Sequence, residues 1–200
     1  YFDNYVNLSF DYDKRNQKYK TTDGFRSTYN INLPVLSEKN TLTNYYNYKI
    51  FSELYEDNIS SLSIGLSSAT SVTGDDIKLS ERLYVPQSKL RGFENGRIGP
   101  KDGEDFIGGN YYALMNFSTT IPQILPNAQN IEVVSFFDMA NLWGVDNSSI
   151  DDGSKIRSSI GLGIDWFTPI GPLNFSFAHP ITKSSTDKTE TFRFNLGTTF

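Results

Sequence analysis

The sequence predicts an all-β chain, an antiparallel transmembrane β-barrel, on three observations. Apolar and polar residues alternate with period two over stretches of about ten residues, the length of a tilted strand crossing a bilayer. The polar faces of these stretches carry Ser, Asn, Thr and Gly rather than Lys and Glu, which suits a lumen better than a free surface. Aromatic residues gather near the stretch ends, at Tyr111, Tyr112, Trp143, Trp166, Phe167 and Phe200, as in the girdles at membrane interfaces. Alternation alone also fits a soluble sandwich, whose apolar faces turn inward. The polar-face composition and the aromatic placement favour the barrel.

Each strand has its own pattern. Val6, Leu8 and Phe10 against Asn7, Ser9 and Asp11 predict a strand over about 2–12. Phe25, Tyr29, Ile31 and Leu33 against Arg26, Thr28, Asn30 and Asn32 predict 24–34. A third strand follows over 41–54. Leu62, Ile64 and Leu66 against Ser61, Ser63, Gly65 and Ser67 predict 59–72. Strands over 109–121 and 131–143 come next. Ile156, Ile160, Leu162, Ile164 and Trp166 against Arg157, Ser159, Gly161, Gly163 and Asp165 predict 155–167, with Ser158 breaking the apolar row. The last two span 172–181 and 190–200. No amphipathic helix is evident.

The connectors sort by length. Residues 55–58 and 168–172 are tight turns, whereas 144–154 and 182–189 are longer and polar. Residues 73–107 form the longest connection, an extracellular loop with no strand pattern of its own; such length is usually functional. Residues 13–23 are the exception, long yet on the short-turn side. Single-chain bacterial barrels have even strand counts. An odd count, and an opening Tyr1-Phe2-Asp3-Asn4-Tyr5 without Met or leader pattern, predict that these residues are the end of a larger barrel.

Composition removes most other classes. Eighteen Lys and Arg against 23 Asp and Glu leave a net charge of −5, which argues against a nucleic-acid partner. The absence of Cys excludes thiol chemistry and disulfides, and a single histidine, His179, excludes a multi-histidine metal site. No Gly-x-Ser-x-Gly or Walker pattern occurs. Residues 146–153 are rich in oxygen ligands but lack EF-hand spacing and read as a solvated loop. Asp102, Glu104 and Asp105 read as loop charges, and His179 beside Pro180 as structural. The expectation is a protein that is not an enzyme and holds no metal or cofactor.

Five stretches then resemble one family in order. Leu90-Arg91-Gly92-Phe93 with Ile98-Gly99-Pro100 resembles the sixth extracellular loop of the BamA outer-membrane assembly factor family. Residues 19–24, ending Thr22-Asp23-Gly24, resemble a periplasmic turn of that family. Phe136-Phe137-Asp138-Met139 resembles the strand facing the loop, residues 166–176 the penultimate hairpin, and residues 192–200 the terminal strand. The resemblance spans nearly the whole chain. It implies the C-terminal nine strands of a barrel of about sixteen, preceded by the first strands and by POTRA domains outside these residues. It further implies residence in the cell outer membrane and a non-covalent role in folding and inserting β-barrel clients, with accessory assembly lipoproteins as partners. A two-partner secretion transporter or translocation-and-assembly-module relative, and a passive porin-like channel, are the alternatives.

The resemblance also assigns a site. Arg91 is implied to fold inward onto Asp138 as a charge-assisted pair. Parity agrees: Phe137 and Met139 share one side with Ile131 and Val133, which leaves Asp138, Phe136 and Glu132 on the other. Phe136 is then placed to pack against the loop tip. Where the family often has a second acidic residue, this chain has Asn116, which offers a neutral hydrogen bond only. Without the flanking match, Arg91 reads equally as a solvated loop arginine near Glu94. In the terminal strand, Phe192, Phe194 and Phe200 form an apolar outer row, and Gly197 weakens or bends the strand. The family implies a lateral seam there, where a poorly paired edge templates client strands. A plain closing strand with a membrane-targeting signal is the other reading, and the two are compatible.

Overall fold

The structure, a computed structural model, describes residues 4–18, 20–35, 40–122, 124, 130–147, 149–168 and 171–196. The strands are β1 (Tyr5–Asp13), β2 (Gly24–Pro34), β3 (Thr41–Tyr55), β4 (Asn58–Ser71), β5 (Lys101–Asp102), β6 (Asp105–Phe106), β7 (Tyr111–Thr120), β8 (Ile131–Trp143), β9 (Arg157–Thr168), β10 (Gly171–Thr182) and β11 (Phe192–Leu196). Among the described residues nine form one antiparallel sheet in the order β1-β2-β3-β4-β7-β8-β9-β10-β11, and β5 pairs with β6. The sheet does not close: among the described residues β1 and β11 are its two edges. The nine main strands fall where the alternation predicts them, β8 with the same bounds. Of the predicted 190–200 strand, Gly197 and Phe200 lie outside the described residues.

Local chemistry fixes the register. The hairpin β3–β4 turns on Glu56 and Asp57; Asp57 takes φ 62°, and its N–H donates to the Glu53 carboxylate at 3.0 Å. Side chains then alternate across the sheet. On β9, Ile160 and Leu162 are each 51% exposed on the convex side, whereas Arg157 and Ser159 are buried on the concave side. Outer aromatic rows lock neighbouring strands, with Phe175–Phe194 and Phe177–Phe192 ring centroids at 5.1 and 5.0 Å. Apolar side chains outside and polar ones inside is the arrangement of a sheet solvated by lipid.

The concave side departs from expectation. Residues 73–107 fold into it, so this end of the lumen is not wet. Val85, Leu90, Phe93 and Ile98 of the loop pack with Tyr112, Leu114, Ala140 and Leu142 of the wall in one buried apolar cluster. Nor is the loop without structure: it holds 3₁₀ turns at Leu79–Glu81 and Gln87–Lys89 and the β5–β6 hairpin. Tyr112 and Phe167 do not belong to the interfacial girdle. Tyr112 follows the outward Tyr111 and therefore points in. Phe167 faces the lumen, with the Lys20 ammonium 4.6 Å from its ring centroid.

The turn after β1 has a reason for its length. It reaches across the opposite mouth of the lumen to β8, where Lys20 Nζ lies 2.6 Å from Glu132 Oε1. Within the turn, Asp13 accepts two bonds from the Arg15 guanidinium, and Thr21 donates to the Gln17 carbonyl. Between turn and loop lies a cavity of about 390 Å³, lined by Arg15, Lys20, Lys49 and Lys89 among the cations and by Glu132 and Asp165.

Candidate functional site

The site lies where the loop tip meets β7, β8 and β9. Arg91 Nε and Nη2 donate to Asp138 Oδ2 and Oδ1 at 2.6 and 2.7 Å, a bidentate pair. The Arg91 backbone N–H adds a bond to Oδ2 at 3.1 Å, and Asn116 Nδ2 donates to Oδ1 at 2.9 Å. Four donors thus satisfy a carboxylate that is wholly buried, while Arg91 is 3% exposed. The guanidinium carbon sits 3.4 Å from the centroid of the Phe136 ring, a stacked cation–π contact. This burial rules out the solvated-arginine reading, and Glu94 instead donates its N–H to the Lys188 carbonyl.

Small residues make the docking possible. Gly92 takes φ +90°, and a Cβ there would meet the Cβ atoms of Ser159 and Ala178 at 3.2 Å. The backbone can approach β9 and β10 only without a side chain. Ser159 Oγ donates to the Arg91 carbonyl. Gly161 leaves the space that the Phe136 ring fills; a Cβ at 161 would stand 2.4 Å from Phe136 Cζ.

The predicted loop residues divide into two groups. Arg91, Gly92 and Phe93 meet Asp138, Phe136, Asn116 and Ser159. Ile98, Gly99 and Pro100 lie away from the ion pair, buried against β8, where Gly99 abuts Leu142. Phe192 and Phe194 lie on the outer face of β11, away from both groups. His179 is exposed on the outer row of β10, opposite Ile160. Asp146, read as a solvated loop residue, accepts the Ile77 N–H and the Asn110 amide and so ties two loops together.

Two arginines were missed. Arg157 of β9 makes a bidentate pair with Asp187, at 3.0 and 3.1 Å, with both side chains buried. Arg193 of β11 bonds the Glu190 carboxylate and the carbonyls of Gln87 and Phe93. The segment before β11 also pairs with the loop tip: Phe93 and Thr189 form a β-bridge, and the Glu190 N–H donates to the Gly92 carbonyl at 3.1 Å. A signal was present, since both arginines hold inward parity among Ser, Gly and Asn, and a charge on that face needs a partner.

Comparison with known proteins agrees with this architecture. The Omp85 superfamily domain matches residues 1–200. The outer membrane protein assembly factor BamA of Neorickettsia risticii is 30% identical over 132 residues, covering 64% of this chain and 18% of that protein. BamA of Neisseria meningitidis is 30% identical over 141 residues, covering 56% and 17%. A SAM50-like protein of Schizosaccharomyces pombe is 31% identical over 136 residues, covering 64% and 28%. The chain therefore spans a small part of the curated relatives it matches. The crystal structure of BamA from Haemophilus ducreyi lacking POTRA domains 1–3 superposes with a TM-score of 0.82 at 27% identity, covering 94% of this chain and 41% of that one.

Proposed function

The chain belongs to the Omp85 superfamily and is part of an outer-membrane β-barrel, and on that premise we propose that it is the C-terminal part of an assembly factor that folds and inserts other β-barrel proteins. The observation that carries this reading is the match of the whole chain to the Omp85 superfamily domain, with BamA relatives at 30% identity, together with a loop tip that the wall seats through the buried Arg91–Asp138 pair. The outer row of β11 is strongly apolar, with Phe192, Phe194 and Leu196 about half exposed or more. In this reading β11 meets the strands that precede these residues across a seam, and its edge templates an incoming strand by β-augmentation when that seam opens. The lumen loop, locked by Arg91–Asp138, keeps the wall in working shape while the edge exchanges partners. The work is non-covalent: no bond is made or broken, and the partners are the bilayer and the client strands. A passive channel fits less well, because residues 73–107 fill one end of the lumen.

The test uses the full-length protein in liposomes with an unfolded β-barrel client. Folding of the client should be faster than in protein-free liposomes, read as heat-modifiable mobility on gels. Passage of unfolded chains without insertion would replace the reading with secretion transport. Steady ion conduction without either would replace it with a channel.

A further inference from the structure

We propose that Arg193 is a positioning residue through which the lumen loop sets how firmly the terminal strand is paired. The contacts run in one unbroken line. Asp138 on β8 holds Arg91. The carbonyls of the next two residues, Gly92 and Phe93, accept from the Glu190 N–H and from Arg193 Nη2. Arg193 lies on the concave face of β11, opposite Ser176 of β10, and is 6% exposed. Its guanidinium also reaches the Gln87 carbonyl in the second 3₁₀ turn of the loop. One side chain of β11 thus caps two carbonyls of the loop while its own strand pairs with β10.

The segment between β10 and β11 reinforces the line. Lys188 donates to the Arg97 carbonyl at 3.1 Å, and its own carbonyl accepts from Glu94 at 3.0 Å. Asp187, held by Arg157, pins that segment to β9. Such tethers add to the order that β11 gains from its ladder with β10. Loop docking and strand pairing are therefore one element with two arrangements, loop docked with β11 held, and loop released with β11 loose. A planar guanidinium spans two carbonyls and a carboxylate; an ammonium does not. The consequence for client insertion rests on the assembly reading above, but the coupling itself does not.

The test is amide hydrogen exchange on the full-length protein in detergent or nanodiscs, with no client. Arg193→Ala should speed exchange of the β11 amides by at least about tenfold, the change expected when bonds from a charged donor are lost. Exchange in β8 should hardly change. Arg193→Lys should act in the same direction to a smaller extent, and it serves where the alanine variant does not fold. The decisive measurement is the double variant. Arg91→Ala should loosen β11 strongly when Arg193 is present and little when Arg193 is already Ala. Equal loosening in both backgrounds overturns the coupling, as does normal β11 protection in both Arg193 variants. Client folding is measured separately: a loosened β11 with unchanged client folding leaves the coupling standing and removes the assembly reading of the seam.

Discussion

The two ends of the lumen solve the same problem in opposite ways. At the loop end the charged pairs Arg91–Asp138 and Arg157–Asp187 are buried, and beside them Leu90, Phe93, Ile98, Tyr112 and Leu142 pack in an apolar cluster. At the turn end, cations outnumber carboxylates around an open cavity, and the bridging pair Lys20–Glu132 has side chains 40% and 35% exposed. Both arrangements join distant parts of the sheet. The difference lies in water. Without it, a charge pair must be complete, and losing one partner is costly. With it, the same pair contributes little and is screened by salt.

The contrast is broken most severely by Asp138→Ala. It leaves the Arg91 guanidinium buried without its carboxylate, and the expected loss is about 3–5 kcal/mol. The measurement is the temperature at which the full-length protein loses heat-modifiable mobility, together with the client folding rate; normal values for both dismiss the lock. Leu142→Ala attacks the apolar part of the same end and should cost about 2–5 kcal/mol without altering the ion pair. Asn116→Leu should follow at about 1–3 kcal/mol, since Asp138 keeps its arginine but loses a donor. Glu132→Gln at the other end should cost less than about 1 kcal/mol, and the cost should fade in high salt. A loss there as large as that of Asp138→Ala removes the distinction between the ends.

Lys89 stands at the boundary and sharpens it through pH. Burial holds its ammonium below the ordinary lysine range, with the Asp138 carboxylate opposing the shift and Arg91 adding to it. The unfolded chain therefore keeps this proton to higher pH than the folded one. In the window between the two values, stability rises with pH. Lys89→Met should abolish that rise, read as the difference in unfolding temperature between the variant and the unchanged protein across alkaline pH.

Much of this was legible in the residues, and the limits have physical causes. Period-two alternation fixes strand positions because a strand sends successive side chains to opposite faces, so β8 was placed with its bounds. The same parity put Asp138 and Phe136 inside. Parity gives a side, not a depth. It could not say that Ala140 and Leu142 face a packed loop rather than water, nor that Tyr112 is core. The link from Arg157 to Asp187 crosses 30 residues with no spacing rule, and Asp187 lay in a stretch whose composition reads as a solvated loop. The alternation of Gly161 and Gly163 was visible, but its meaning appears only once Phe136 and Val134 occupy the space they leave.

The docked loop tip also orders events in time. Arg91 finds Asp138 across 47 residues, its carbonyl finds Ser159 across 68, and Phe93 finds Arg193 across 100. Contacts of such separation pay their loop-closure entropy before they return any stability, so they form late. As the chain is made from its N-terminal end, the tip has no complete seat until β11 has arrived. Docking of Arg91-Gly92-Phe93 is thus a late step: its contacts are complete only when β8, β9 and β11 are all in place.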